Sequence, residues 1–260
     1  MKKFFILLPI IFTLFSCSSD ATAEAEILPF VVQLQASTLN PTVDELVEIQ
    51  VQSEQLLKEI SWHSENVVRT HSGMGSALER DFPLYFQFAS TGMKVVNLSF
   101  TNMNDEVTSK ELIFEVKKGN TVQITGFRIN SFGKMGDSWD PEFPQNSEDR
   151  LADIMFGFSK LMLFNFTKPE NSFGTWYISP VHKNESSKEW HLENENLFIN
   201  PDRPLRFGIS DDDGGNIGQN LLIDRSHLDL DLSQYKEEKP SSIDYSHTEE
   251  EVDITLFLNW

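Results

Sequence analysis

The chain has 260 residues, with 40 acidic side chains against 21 basic ones and a formal net charge of −19, so it repels phosphate backbones and nucleic acid is excluded as the expected partner. Its 39% hydrophobic content, which includes 21 Phe and 5 Trp, is too high for a disordered acidic tail. The single cysteine excludes an internal disulfide and a cysteine-cluster metal site.

The N-terminus has the pattern of an export signal. Lys2 and Lys3 form a basic start, and residues 4–15 are a continuous apolar run. This run has 12 residues, whereas a helix that spans a bilayer needs about 20. It therefore fits the apolar region of a signal peptide, and we predict that residues 1–16 are that peptide.

The cysteine directly follows the apolar run. The sequence Leu14-Phe15-Ser16-Cys17 resembles the lipobox of bacterial lipoproteins, with an apolar residue three positions before the cysteine and a small residue next to it. The resemblance implies cleavage before Cys17, lipidation of its thiol and anchoring in the bacterial outer membrane. The alternative is an ordinary secretory signal in which Cys17 is incidental.

Residues 17–27 are small, polar and acidic, which predicts a flexible tether. The segment resembles the acidic segments that follow the lipidated cysteine in surface-exposed lipoproteins of Bacteroidetes. This resemblance implies display on the cell surface. The alternative is an anchor whose attached protein faces the periplasm.

Residues 28–118 alternate between apolar and polar side chains with a period of two. Val47, Ile49 and Val51, for example, are each followed by a polar residue. This period is typical of half-buried strands, and turn signals separate the successive runs. Several short strands at this spacing predict a β-sandwich of about 90 residues.

The same segment resembles a polycystin-type (PKD) or related immunoglobulin-like domain. Residues 60–62 (Ile-Ser-Trp) resemble a mid-domain strand with a buried tryptophan, residues 88–98 resemble the family's F-x-x-x-G strand pair, and residues 112–117 resemble its closing strand. Residues 63–65 depart from the family's usual Gly-Asp-Gly turn. The resemblance implies an immunoglobulin-like fold and a spacer role.

A second strand-rich block covers residues 121–260. Val252, Ile254, Leu256 and Leu258 alternate with other residues in its final predicted strand. A block of this size with so many large apolar side chains can bury a core of its own. The whole chain is therefore predicted to be all-β, with two sandwich domains behind the signal peptide and tether.

An acidic stretch follows a predicted strand of this block. Asp211, Asp212 and Asp213 precede two glycines, and in an extended backbone Asp211 and Asp213 point to the same side. Adjacent carboxylates repel one another and need either full solvation or a cation, and Ca²⁺ takes six to eight oxygen ligands. The stretch is either a calcium loop or a solvated turn, since Asp and Gly dominate turns.

Residues 209–218 also resemble the strand, Asp-x-Asp and apolar-glycine pattern of a C2 domain. This resemblance implies a C2-like sandwich over residues 121–260. It also implies a calcium site whose ligands come from the loops at one end, namely Asp140, Asp153, Asp211, Asp213 and Asn216. No basic cluster accompanies these loops, so the resemblance does not extend to phospholipid docking.

Motifs of catalysis are missing from the sequence. It contains no His-Glu-x-x-His, no Gly-x-Ser-x-Gly, no P-loop and no dinucleotide fingerprint. We therefore expect a non-enzymatic surface module for binding or adhesion, whose protein or glycan ligand the sequence does not identify. One alternative is a carbohydrate-binding accessory lipoprotein of a glycan-uptake system. Another is a hydrolase without a recognisable motif. The aromatic residues that could stack on a sugar, or else belong to the core, are Trp139, Trp176, Tyr177 and Trp190.

Overall fold

The predicted all-β class is confirmed by a computed structural model, which describes residues 29–64, 67–72, 78–185, 187–214 and 219–260. The described residues contain sixteen β-strands and three short 3-10 helices. They include no helix that is long and apolar enough to cross a membrane. The predicted signal peptide and the whole of the predicted tether, including Cys17, lie outside the described residues, as does Asn216.

Seven strands form the first sandwich. Its two sheets have the strand orders β1-β2-β5 and β4-β3-β6-β7, and neighbouring strands are antiparallel. This arrangement is immunoglobulin-like. The strands are β1 (Val32–Ala36), β2 (Leu46–Ser53), β3 (Leu57–Ser64), β4 (Val67–Ser72), β5 (Asp81–Gln87), β6 (Gly92–Asn102) and β7 (Val107–Val116).

Nine strands form the second sandwich. One sheet has the order β10-β9-β13-β14, and the other has the order β11-β8-β16-β15 with β12 also paired to β8. The strands are β8 (Val122–Ser131), β9 (Ile154–Asn165), β10 (Glu170–Ile178), β11 (Glu189–His191), β12 (Phe198–Ile199), β13 (Leu205–Asp211), β14 (Leu228–Leu230), β15 (Ser242–His247) and β16 (Val252–Asn259). The 3-10 helices are Glu148–Arg150, Lys183–Glu185 and Ser233–Tyr235.

The alternating sequence pattern decides which side chains fill each core. In β2, Val47, Ile49 and Val51 are buried between the two sheets of the first sandwich, while the residues between them point outward. In β9, Phe156 and Phe158 face inward and pack against Phe127 of the opposite sheet, with ring centroids 4.3 and 5.4 Å away. Each sandwich therefore has its own aromatic and aliphatic core.

The β9–β10 hairpin extends beyond the second sandwich and contacts the first. The ring of Phe166, at the hairpin end, lies 4.9 Å from Trp62 and 5.7 Å from Phe86. Its carbonyl accepts a hydrogen bond of 2.8 Å from the Tyr85 amide in edge strand β5. The Leu163 amide donates to the Gln87 side chain. The hairpin therefore covers an edge of the first sandwich that its own strands leave open.

The strand registers show which end of each sandwich lies near the other sandwich and where the predicted calcium loops are. Val32 pairs with Ser53 at one end of β2, whereas Leu46 at the other end follows the turn that meets the second sandwich. In the second sandwich, Ile154 pairs with Asp211 at the end of β9 far from the hairpin tip. The predicted calcium loops therefore lie at the end of the second sandwich that faces away from the first.

Candidate functional site

Three of the predicted ligands meet in space. Asp211 ends strand β13, Asp213 follows two residues later, and Asp140 comes from the loop between β8 and β9. One carboxylate oxygen from each lies within 4.8 Å of those from the other two. Asp211 is buried, Asp140 is half-buried and Asp213 is exposed, so the cluster leads from the protein interior to solvent.

Asp211 is the unusual member of this cluster because its residue exposure is 0%. Its Oδ1 accepts a hydrogen bond of 2.6 Å from the Asp153 amide. Its Oδ2 is also buried, but it has no hydrogen-bond partner among the residues that the structure describes. A buried carboxylate oxygen without a partner costs free energy, and here the carboxylate also lies beside two others.

The protonation of the cluster reflects its burial and its like charges. The pKa of Asp211 is raised from 3.8 to about 6, mainly by burial and also by the Asp140, Asp213 and Asp153 carboxylates, while the hydrogen bond from the Asp153 amide opposes this rise. Burial also raises the pKa of Asp140, with a contribution from the Glu142 carboxylate. Each group resists carrying its negative charge without a compensating cation.

Asp153 supports the cluster but is not one of its three converging carboxylates. Its Oδ1 accepts a hydrogen bond of 2.8 Å from the Asn184 amide, and its carbonyl accepts one of 2.9 Å from Asp212. Asn184 has a φ of 54°, a left-handed backbone that Asn tolerates better than most residues. The loop at 183–185 therefore fixes Asp153, which in turn holds Asp211 through its amide.

A cavity of about 630 Å³ opens beside the cluster, lined by Asp140 and Asp213 but not by Asp211. Sequence reasoning missed several of its acidic residues, since nothing in their local patterns sets them apart from surface charge. Those that line the cavity beside the predicted ligands are Glu142 and Asp149; Asp212, which belongs to the predicted acidic stretch without being a predicted ligand, and the basic Lys183 line it too. Such an oxygen-rich donor set suits a hard divalent cation such as Ca²⁺ or Mg²⁺.

The four aromatic residues considered for sugar stacking do not form one exposed platform. Trp190 is buried and stacks on the His182 ring at 4.4 Å. Trp176 lies over the Lys160 ammonium, whose Nζ is 4.0 Å from the ring centroid. Trp190 belongs to the core of the second sandwich. Trp139, Trp176 and Tyr177 are partly buried and pack against that core.

A groove of about 580 Å³ runs along the outer face of β9 and β13. Gly157 and Gly208 pair directly across these strands, so its floor lacks large side chains there. A Cβ at Gly208 would meet the Ser226 carbonyl at 2.7 Å, so only glycine fits at that position. Asp212 lines both this groove and the acidic cavity, so the two lie next to each other.

Comparison with known proteins adds a structural likeness. The chain is similar to the fibronectin(III)-like modules of Clostridium thermocellum CbhA, at 9% identity with a TM-score of 0.27, and the match covers 70% of this chain and 87% of that one. No family model and no curated protein matches the sequence. At this identity the likeness carries no functional conclusion, and the all-β class rests on the strands described above.

Proposed function

We propose that this chain is a lipid-anchored, non-enzymatic binding module of the bacterial outer surface, with a calcium site in its second sandwich. In this proposal the first sandwich is a PKD-like spacer and the second is a C2-like domain that presents the calcium loops. The ligand is a protein or a glycan outside the cell. The acyl chains on Cys17 hold the module in the outer membrane.

One observation carries the calcium assignment, namely that the Asp211 carboxylate lies beside those of Asp140 and Asp213 while its buried Oδ2 has no hydrogen-bond partner among the described residues. A cation would satisfy this oxygen and remove the repulsion among the three groups. Asp140, Asp211 and Asp213 would bind the ion directly. Asp153 lies next to Asp211 and would position it or add a further oxygen. Asn216, between the described parts of the loop, is the remaining predicted ligand.

Thermal melting of the soluble region from Ala21 onward tests this assignment, with calcium and with chelator. A site with a Kd of about 10⁻⁴ M, at about 1 mM calcium, should stabilise the fold by about 1.4 kcal/mol. That corresponds to a rise of a few degrees in Tm. Magnesium at the same concentration should have a smaller effect, because its small octahedral shell suits this open cluster less well.

The matched control for this experiment replaces an exposed acid of the same sandwich. Asp224→Asn should keep the full response to calcium, whereas Asp211→Asn should lose it. Equal melting temperatures with calcium and with chelator would show that the acidic stretch is a solvated turn.

The lipid anchor has its own test in the full-length chain. Cells that express the protein should incorporate labelled palmitate into it, and Cys17→Ser should abolish the label and release the chain from the membrane fraction. Retained labelling in the variant would contradict lipidation at Cys17. Protease treatment of intact cells then distinguishes surface display from a periplasmic orientation.

The groove favours glycan binding as a second candidate function. It combines apolar walls, which include Phe173 and Ile178, with a rim of hydroxyl and amide side chains, a mixture that suits a sugar chain. Gly157→Leu should fill it, because a Cβ there meets only the Tyr177 carbonyl, at 3.4 Å. A glycan array should show binding by the wild type that this variant loses. Binding that survives the substitution would place the glycan elsewhere.

A further inference from the structure

We propose that a buried ion pair between the two sandwiches is a latch that makes them one cooperative folding unit. The latch consists of Lys160 in β9 and Asp44 in the turn before β2. Lys160 Nζ lies 2.8 Å from Asp44 Oδ1, and both side chains are 1% exposed. The two residues are 116 positions apart in sequence and belong to different sandwiches.

The surroundings satisfy most of the polar atoms of the latch. Lys160 Nζ also donates to the Phe198 carbonyl at 3.0 Å and contacts the face of the Trp176 ring. The second oxygen of Asp44 accepts a hydrogen bond of 3.2 Å from the Asn200 amide. These partners come from the second sandwich, so Asp44 is bonded to the neighbouring domain through both of its oxygens.

Burial makes the latch sensitive to the loss of either partner. Burial lowers the pKa of Lys160, against the effect of the Asp44 carboxylate, and the Arg203 guanidinium lowers it further. A charge left alone at this depth has no water to solvate it, and breaking such a pair costs far more than breaking an exposed one. Separation of the sandwiches would break this ion pair and the Asn200–Asp44 hydrogen bond at once, so we expect the two domains to open as one unit.

Apolar contacts also join the two sandwiches. Phe198 belongs to β12 of the second sandwich, but its side chain is part of the buried core of the first. Phe166 packs against Trp62 and Phe86 of that core. The first sandwich therefore completes its core with two aromatic side chains from the second, and the latch lies beside them.

Native-state hydrogen exchange with increasing denaturant tests the proposal in the soluble chain, with chelator present so that the result does not depend on calcium. The slowest amides of β3 and β6 should have the same opening constant, and the same dependence on denaturant, as those of β8 and β16. If the first sandwich opens at lower denaturant while the second remains protected, the proposal is wrong.

Two variants then assign the coupling to the latch. Lys160→Met should raise the opening constant of both sandwiches by about 100-fold or more, because it leaves a buried carboxylate unpaired. Lys58→Met, which removes an exposed ion pair with Asp105 in the first sandwich, should change neither constant appreciably. An effect of Lys160→Met on one sandwich alone would overturn the latch.

A milder variant covers the case in which Lys160→Met does not fold. Asp44 has a φ of 64°, and Asn tolerates that backbone, so Asp44→Asn removes the charge without backbone strain. It should raise both opening constants together. Unequal changes in the two sandwiches would count against the proposal in the same way.

Discussion

Strands β9 and β13 connect two buried charged sites that differ in one respect. At the end near the first sandwich, Lys160 faces Asp44 and both charges have partners. About 20 Å away along β9, Asp211 is equally buried, but one of its carboxylate oxygens has no hydrogen-bond partner among the described residues. The charges of the first site are paired within the chain, and in our proposal a calcium ion compensates those of the second.

If the proposal is correct, this difference separates a structural site from a binding site. A buried carboxylate next to two others is costly unless a cation or a proton compensates its charge, since desolvation and repulsion both oppose that charge. The same charge at Asp44 is compensated within the chain. Burial alone therefore does not indicate function here; at Asp211 burial coincides with an oxygen that lacks a partner among the described residues and with two neighbouring carboxylates.

The largest expected effect on stability concerns the contact between the β9–β10 hairpin and the first sandwich. Phe166→Ala should lower the free energy of unfolding by about 2–3 kcal/mol, because it removes a partly buried ring from the core of the first sandwich. Phe164→Ala, two residues earlier, is the matched control, since Phe164 is 60% exposed and its loss should matter little. Urea unfolding measures both. Equal effects of the two substitutions would show that the hairpin contact does not stabilise the first sandwich.

The next largest effect on stability concerns the acidic cluster at Asp211. With chelator at about pH 7.5, Asp211→Asn should raise the free energy of unfolding by about 2 kcal/mol, because it removes a buried charge and keeps the oxygen that the Asp153 amide contacts. Loss of either latch charge should have the opposite sign. Urea unfolding of both variants makes this comparison, and a destabilised Asp211→Asn would contradict our view of Asp211.

The smallest effect is a dependence on pH. The pKa of Asp211 is about 6 in the folded chain, above its ordinary value of 3.8, so the folded state holds this proton more tightly than the unfolded state does. Its contribution to stability is therefore present at low pH and is lost as pH rises through about 6. Between about pH 5 and about pH 7.5 in chelator, this loss should be at most about 1.4 kcal/mol.

Comparison with Asp211→Asn isolates this contribution, since the variant lacks the titrating group. The difference in unfolding free energy between wild type and variant should grow as pH rises. Calcium should reverse the trend in the wild type, because the ion replaces the proton and binds better at higher pH. A difference that stays constant with pH would assign the titration to other groups.

The fold class could be predicted from sequence because alternation depends on neighbours along the chain. Val47, Ile49 and Val51 face inward for a local reason, and every such run is visible without the structure. The position of Asp211 and Asp213 on one side of an extended segment was also predictable, since it follows from the same period. The meeting with Asp140 was predicted only through a resemblance.

The Lys160–Asp44 latch and the burial of Asp211 could not be predicted, because both depend on contacts between distant parts of the chain. Lys160 follows Phe156 and Phe158 in the same inward register, but a lysine at the end of such a run ordinarily lies on the surface. Its partner Asp44 is distant in sequence, and Asp44 is one of many acids. The burial of Asp211 depends on how several loops pack together, which no single segment determines.

The position of Val32 has a mechanical consequence. It begins β1 at the end of the first sandwich that lies away from the second, and the acidic loops lie at the opposite end of the molecule. A pull between the N-terminal segment and these loops would run along the strands and load the β1–β2 hydrogen bonds in shear. Many bonds would then have to break together, a geometry that resists force better than strands that peel apart one bond at a time.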